Sequence, residues 1–328
     1  MKRFILILFT FLIIVSVVLV GNGKELILRY SGGFPPNHPV SEAQVWFSEE
    51  LEKRSEGEIK VDTFFGGELY TYAAAIDAAS SGALDLGYTS ISHIANKNPL
   101  FDFSSYFFMI KNHQQMAEIS EEVKKIMGPA LEEQGLKLVH IFYFGECGII
   151  SKVPIRESED MKGLIIRSTS PAMTWSLEAL GATPATIASA EQYDAMQKGT
   201  IDGGGTGYAT MVSRKLYEVT DYVIGPFWNP LWISFMSLDV WNSLSEEVQK
   251  LIQEVSLDTE KKSFELVSGA DQEAIDFLKA NQKEFIYLTA EEQKKWAEPI
   301  KPLFQKWAET CQEAGYGEEA QKLLELIE

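Results

Sequence analysis

From Leu26 to Thr89 the chain alternates strand-like and helix-like segments, and that alternation leaves few folds open. Leu26–Tyr30, Ile59–Phe65 and Leu84–Thr89 are short, apolar, β-prone runs. Between them, Val40–Arg54 carries an apolar stripe through Val45, Trp46 and Leu51, and Thr71–Ser80 is an alanine-rich helix ending at Gly82. Strand, helix, strand, helix, strand is the pattern of a mostly parallel sheet with helical crossovers. His113–Glu133 then reads as a helix, and Lys137–Phe144 as a long apolar strand closed by Gly145. A second alternating set begins at Gly163 and runs through Ile224. The architecture repeats although the residues do not, and 328 residues exceed the usual size of a single core. The expected fold is therefore α/β with two similar lobes, each a mostly parallel sheet flanked by helices.

The remainder is chiefly helical. Ser245–Gln282 starts on a capping serine with Glu246 and Glu247 in the first turn, where acidic side chains suit the helix dipole. Its length suggests a connecting helix. In Ala290–Ile327 the residues Trp296, Leu303, Phe304 and Trp307 are spaced for packing on one lobe.

Arg167 is the residue that most asks for a role. Leu164, Ile165 and Ile166 form an apolar run that belongs in a sheet, and Arg167 ends it. In open α/β sheets, ligands collect outside the carboxyl ends of strands. A guanidinium there offers a planar fork matched to a carboxylate. Taken alone, the same arginine is better read as a surface residue paired with a nearby glutamate, since most arginines are exposed.

Composition narrows the classes. With 29 Lys and Arg against 47 Asp and Glu the net charge is −18, which excludes the basic face that phosphate backbones require, so nucleic acid is not an expected partner. A chain this negative attracts an anion only through local positive potential. Cys147 and Cys311 are the only cysteines, far apart, and read as separate thiols. His38, His93, His113 and His140 are scattered without metal-site spacing. Gly203–Gly207 is followed by no Lys-Ser or Lys-Thr and completes no GxGxxG, and there is no GxSxG elbow. No cofactor, metal or enzymatic activity is expected. At the amino terminus, Lys2 and Arg3 precede an apolar run from Phe4 to Val20, followed by Gly21-Asn22-Gly23. This reads as an export signal over residues 1–23, with an uncleaved membrane anchor as the alternative. The expected location is periplasmic or extracytoplasmic.

Several separated blocks point to one family. They are MKGLIIR, ALGATPA and EQYDAMQKGTIDGG within Asp160–Gly205; HPVSEAQVWFSEELEKRSEGEIKVDTFFGGEL and SSGALDLGYTS near the start; NPLFDFSSYFF in the middle; and LYEVTDYV with WNSLSEEVQKLI later. In this order they resemble the solute-binding subunits of tripartite ATP-independent periplasmic (TRAP) transporters, of the dicarboxylate-binding-protein type, across nearly the whole chain after the leader. The resemblance implies three crossings between lobes, near Gly145, Trp232 and Asp271. The implied division is residues 24–145 plus 233–271 in one lobe and 146–232 plus 272–328 in the other. It also implies a receptor that binds a small organic carboxylate between the lobes and delivers it to integral-membrane permease subunits. A sensory ligand-binding protein for a membrane kinase, a binding protein of an ATP-driven transporter, and an enzyme of the same fold remain open.

Carried over residue by residue, the resemblance makes Arg167 the carboxylate-gripping arginine. Thr89 and Ser90 fall on the loop where relatives contact ligand. Thr206 stands where many relatives carry asparagine, and Cys147 where some sugar-acid binders carry a second arginine. Tyr72, Tyr88, Phe144, Tyr208 and Trp228 are candidates to line a more apolar pocket. One firm arginine and a neutral thiol in place of a second favour a monocarboxylate over a C4 dicarboxylate, unless a group such as His93 supplies the missing charge.

Overall fold

A computed structural model describes residues 25–327; the export signal expected over residues 1–23 lies outside them. The first strand, β1 (Leu26–Ser31), pairs in parallel with β2 (Ile59–Phe64) on one side and β3 (Leu86–Ser90) on the other. The crossovers are α1 (Pro39–Arg54) and α2 (Tyr72–Ser80). After α3 (His113–Glu132) comes β4 (Leu136–Phe142) at the far edge. The second sheet is built from β5 (Cys147–Ser151), β6 (Ile165–Ser168), β7 (Thr183–Thr186), β8 (Gly203–Gly207), β9 (Tyr222–Trp228) and, much later, β11 (Glu284–Tyr287). Its helices are α4 (Pro171–Ala179), α5 (Gln192–Lys198) and α6 (Tyr208–Ser213).

The first sheet has the order β2-β1-β3-β10-β4, with β10 (Trp232–Ser237) inserted between β3 and β4; the second has the order β11-β9-β5-β8-β6-β7. In each sheet one strand runs against the rest. It is β10 in the first and β5 in the second, each antiparallel to both neighbours. Both enter directly from the opposite lobe, without a helical crossover to turn them. All other strands point their carboxyl ends the same way within their sheet, toward the cleft between the lobes.

After α7 (Leu238–Ser243), the long helix α8 runs from Glu246 to Ala280, 35 residues, about 52 Å at 1.5 Å per residue. Ser245 caps it by accepting from Val248 N. Its first half serves the first lobe, where Glu260 Oε1 and Ser263 Oγ accept from Ile141 N and Tyr143 N along the free edge of β4. Its second half packs Ala274, Ile275 and Leu278 with Ile150, Tyr208 and Val223 of the second lobe. The three crossings meet at one point. Asp271 Oδ2 accepts from Glu146 N at 2.7 Å, and Asn229 Nδ2 donates to the carbonyls of Phe144 and Gly145. A Cβ on Gly145 would collide with the Asp271 carboxylate, so only glycine lets the helix pass this close.

The carboxyl-terminal helices depart from the sequence expectation. α9 (Ala290–Ala297) sets Trp296 edge-on to Phe227 at 5.1 Å. In α10 (Lys301–Glu313), however, Trp307 donates its indole N–H to Pro99 O, and Leu323 of α11 (Gly317–Ile327) joins the cluster of Met127 and Leu131 on α3. Trp296 and Trp307 thus pack on different clusters, with α10 against the Pro99–Ser105 segment and α11 against α3 rather than with the second sheet. An amphipathic stripe states that a face will be covered, but burial is non-directional and does not say by which lobe.

Candidate ligand-binding site

The strand ends build the site. Ser90 ends β3, Arg167 lies near the end of β6, Thr206 and Gly207 end β8, and Trp228 ends β9; Cys147 and Trp232 start the two reversed strands at the same level. Together with Phe34, Tyr72, Ser92, His93, Ser105, Phe144, Thr169, Ser189, Gly205 and Pro230 they line a cavity of ≈ 60 Å³. That is roughly four to six water positions at about 10–15 Å³ each, room for a compact solute. Among the described residues no acidic side chain lines it, although the chain carries −18 overall.

Arg167 is 4% exposed. Its Nε donates to Ile187 O and its Nη1 to Gly205 O, each at 2.9 Å, which fixes the plane of the guanidinium. Two of five N–H groups are spent, and three remain. Among the described residues no carboxylate pairs with it. Burial, and secondarily the charge of Arg214, lowers its pKa to about 10, so it stays cationic at neutral pH. A desolvated cation without a counter-charge is costly unless an anion completes it. Gly205 is needed for this arrangement, since a Cβ there would strike Met173 and Trp228.

The rest of the wall is neutral. His93 Nδ1 shares a 2.8 Å hydrogen bond with Thr89 Oγ1, and burial plus the Arg167 charge drives its pKa down to about 4. It therefore supplies one donor and one acceptor, not the second cation considered from the sequence. Burial holds the Cys147 thiol well above its usual range, and Cys147 and Cys311 are separate, buried thiols. Phe144 stacks on Trp232 at 5.1 Å and Phe34 stands 4.9 Å from the same ring. The Trp232 indole N–H and the Tyr72 hydroxyl are buried and unpartnered. The wall thus combines aromatic faces with hydroxyl and indole donors around one guanidinium. Among the described residues no group of three His, Cys, Asp or Glu side chains is gathered to hold a metal.

Of the residues singled out from sequence, Arg167, Ser90, Thr206, Cys147, Tyr72, Phe144 and Trp228 are brought together on the cavity. Three are placed elsewhere. Thr89 lies behind His93 and, like Ser90, belongs to β3 itself rather than to a following loop, because both pair with β10, a partner that arrives some 140 residues later. Tyr88 is core: it is fully buried, and its hydroxyl accepts from Phe34 N and meets Ser41 Oγ. Tyr208 is also core, edge-on to Phe285 at 5.0 Å beneath the second sheet. Phe34, Trp232, Ser105 and Ser189 were not singled out. Trp232 carried a readable signal, an aromatic beside a predicted crossing; the other three carried none.

Comparison with known proteins gives a consistent picture. A family described as bacterial extracellular solute-binding protein, family 7 (DctP) matches residues 30–310. The C4-dicarboxylate-binding periplasmic protein DctP of Rhodobacter capsulatus is 23% identical over 294 residues, 87% of this chain and 87% of that protein. A TRAP periplasmic solute binding protein from Sulfitobacter sp. NAS-14.1, crystallised with β-D-galacturonate, superposes with a TM-score of 0.84 at 22% identity, covering 92% of this chain and 99% of the other. DctP7 of Bordetella pertussis, an extracytoplasmic solute receptor binding pyroglutamic acid, superposes with a TM-score of 0.86 at 19% identity, with the same coverage.

Proposed function

The chain belongs to family 7 of the bacterial extracellular solute-binding proteins, the DctP family, and from that membership we propose that it is the extracytoplasmic receptor of a TRAP-type transporter. It closes its lobes on a small organic carboxylate and presents the loaded form to integral-membrane permease subunits. The observation that carries this reading is Arg167: a buried guanidinium, oriented by two carbonyls, with three N–H groups left and, among the described residues, no protein carboxylate to take them. A carboxylate docked in parallel on that fork gains charge-assisted hydrogen bonds in a desolvated setting. Ligand contacts to both lobes favour the closed form by their differential affinity. Family membership favours transport over sensing for a membrane kinase or an ATP-driven system. The leader over residues 1–23 serves export in this reading.

The solute carries one carboxylate. Among the described residues Arg167 is the only Arg or Lys on the cavity wall, and Cys147 and His93 are neutral. A second buried carboxylate would lack a paired charge, at a cost of several kcal/mol, and each 1.4 kcal/mol is about tenfold in affinity. Galacturonate and pyroglutamic acid, held by two structural relatives, each have one carboxylate; the Rhodobacter relative is named for C4 dicarboxylates. A calorimetric competition series decides between them. Pyroglutamate, galacturonate, and keto and aromatic acids are expected to displace succinate and malate; a dicarboxylate that outcompetes every monocarboxylate overturns this preference, and no binding by any acid overturns the receptor reading.

A further inference from the structure

The end of α6 reaches across the cleft. Arg214 follows that helix in the second lobe, its N–H closing the last turn on Thr210 O at 3.0 Å. Its Nη2 donates at 3.2 Å to Gly33 O, in the loop that leaves β1 in the first lobe, and its Cζ stands 5.9 Å over the Phe34 ring. One turn earlier, Thr210 Oγ1 meets His38 Nε2 at 3.1 Å. His38 Nδ1 accepts from Val40 N, so Nε2 carries the ring proton and donates it to the threonine. Burial, with the nearby Arg214 charge, keeps His38 neutral, its pKa lowered to about 3.

The receiving loop is fixed. Gly32 N donates to Phe64 O, Gly67 N to Gly32 O and Gly66 N to Phe34 O, and a side chain at Gly33 would collide with the Tyr72 ring. Phe34 stacks on His38 at 3.7 Å with the rings 5° from parallel, and the same ring lines the cavity. Both interlobe bonds therefore end on a segment whose aromatic side chain is part of the binding wall. Arg214 itself is not on the cavity wall, and its Nε is buried without a partner.

We propose that Arg214, with Thr210 beside it, is an interlobe latch: a positioning residue that stabilises the closed form through the Gly33–Phe34 loop, so that a minor fraction of the solute-free protein is already closed and solute draws the rest after it. A hydrogen bond from a charged donor is of the stronger class, and the population of closed form in the free protein sets the apparent affinity for any solute that needs it. The latch gives function to the receptor reading above but acts without ligand contact.

The test uses no solute, so its result is separate from which carboxylate the cavity takes. Spin labels on Glu68→Cys and Glu191→Cys, exposed sites beyond β2 and β7, report the distance across the cleft in the full chain stripped of ligand by partial unfolding and dialysis. The native Cys147 and Cys311 are buried. The expected result is a short-distance population that falls roughly tenfold in Arg214→Ala, as for one lost charge-assisted hydrogen bond, and by less in Arg214→Lys and Thr210→Val. Thermal midpoints confirm that each variant is folded, and if Arg214→Ala is not, the Lys and Val variants decide. Identical distance distributions in parent and variants, or no short-distance population in the parent, overturn the latch.

Discussion

At the scale of single residues, Arg167 concentrates both the cost and the function of the site in the proposed reading. Its two structural hydrogen bonds go to backbone carbonyls, so Arg167→Ala removes the proposed ligand contact without breaking an ion pair among the described residues. The expected loss of binding is about 2 to 5 kcal/mol. Arg167→Lys is expected to restore little, because an ammonium cannot reproduce the fork. Isothermal titration checks both, and near-parental affinity in the alanine variant would take Arg167 out of the site. Its place is legible in the sequence, since an arginine closing an apolar strand falls at a sheet's carboxyl edge; the proposed role came from the family resemblance. Tyr88 and Tyr208 were misplaced because the residue type is the same whether an aromatic faces a cleft or a helix. Only the paired strands settle which face it takes.

Among the elements, α8 acts as both brace and crossing. Asp271 sits where it passes Gly145, close to Glu146, whose own carboxyl is pushed up by burial and accepts from the Tyr287 hydroxyl. Burial raises the Asp271 pKa to about 7, from 3.8. Folding takes up a proton between those values, so the contribution of Asp271 to stability falls as pH rises through that window and is lost above it. Asp271→Asn keeps an acceptor for Glu146 N without a charge to bury. Chemical denaturation is expected to show the variant gaining on the parent as pH rises from about 4 to about 7, and no further gain above that. The buried histidines His38 and His140, both lowered to about 3, act in the opposite sense below pH 6.5, so the difference between the two proteins is the measure. Parallel pH profiles would show that Asp271 ionises as freely in the fold as outside it. The existence and capping of α8 follow from local residues; that Asp271 lands on Gly145 follows from neither segment alone.

For the whole molecule, the cavity, the bond from Thr210 to His38 and the bond from Arg214 to Gly33 are, in the receptor reading proposed above, one end of a closing motion about the three crossings. Opening separates these pairs while the Asp271–Glu146 and Asn229–Gly145 contacts stay at the pivot. Small-angle scattering is expected to show a smaller radius of gyration when the carboxylate chosen by titration is added to saturation, with the ligand recovered unchanged. An unaltered curve, or a converted ligand, would count against a closing receptor.

What the sequence by itself determined is what local chemistry encodes. The alternation of strand and helix, the caps, the acidic surface and the arginine at a strand's end all depend on residues within a few positions of one another. The tertiary structure alone decided the rest. It placed β10 between β3 and β4 and so carried the strand on through Ser90, where a loop was expected. It docked α10 and α11 on the first lobe, brought Phe34 and Trp232 to the cavity wall, and set Arg214 against Gly33 across the cleft. The physical reason is common to all four. Apolar burial and hydrogen bonding reward any partner that fits, and which partner that is depends on where two sheets come to rest.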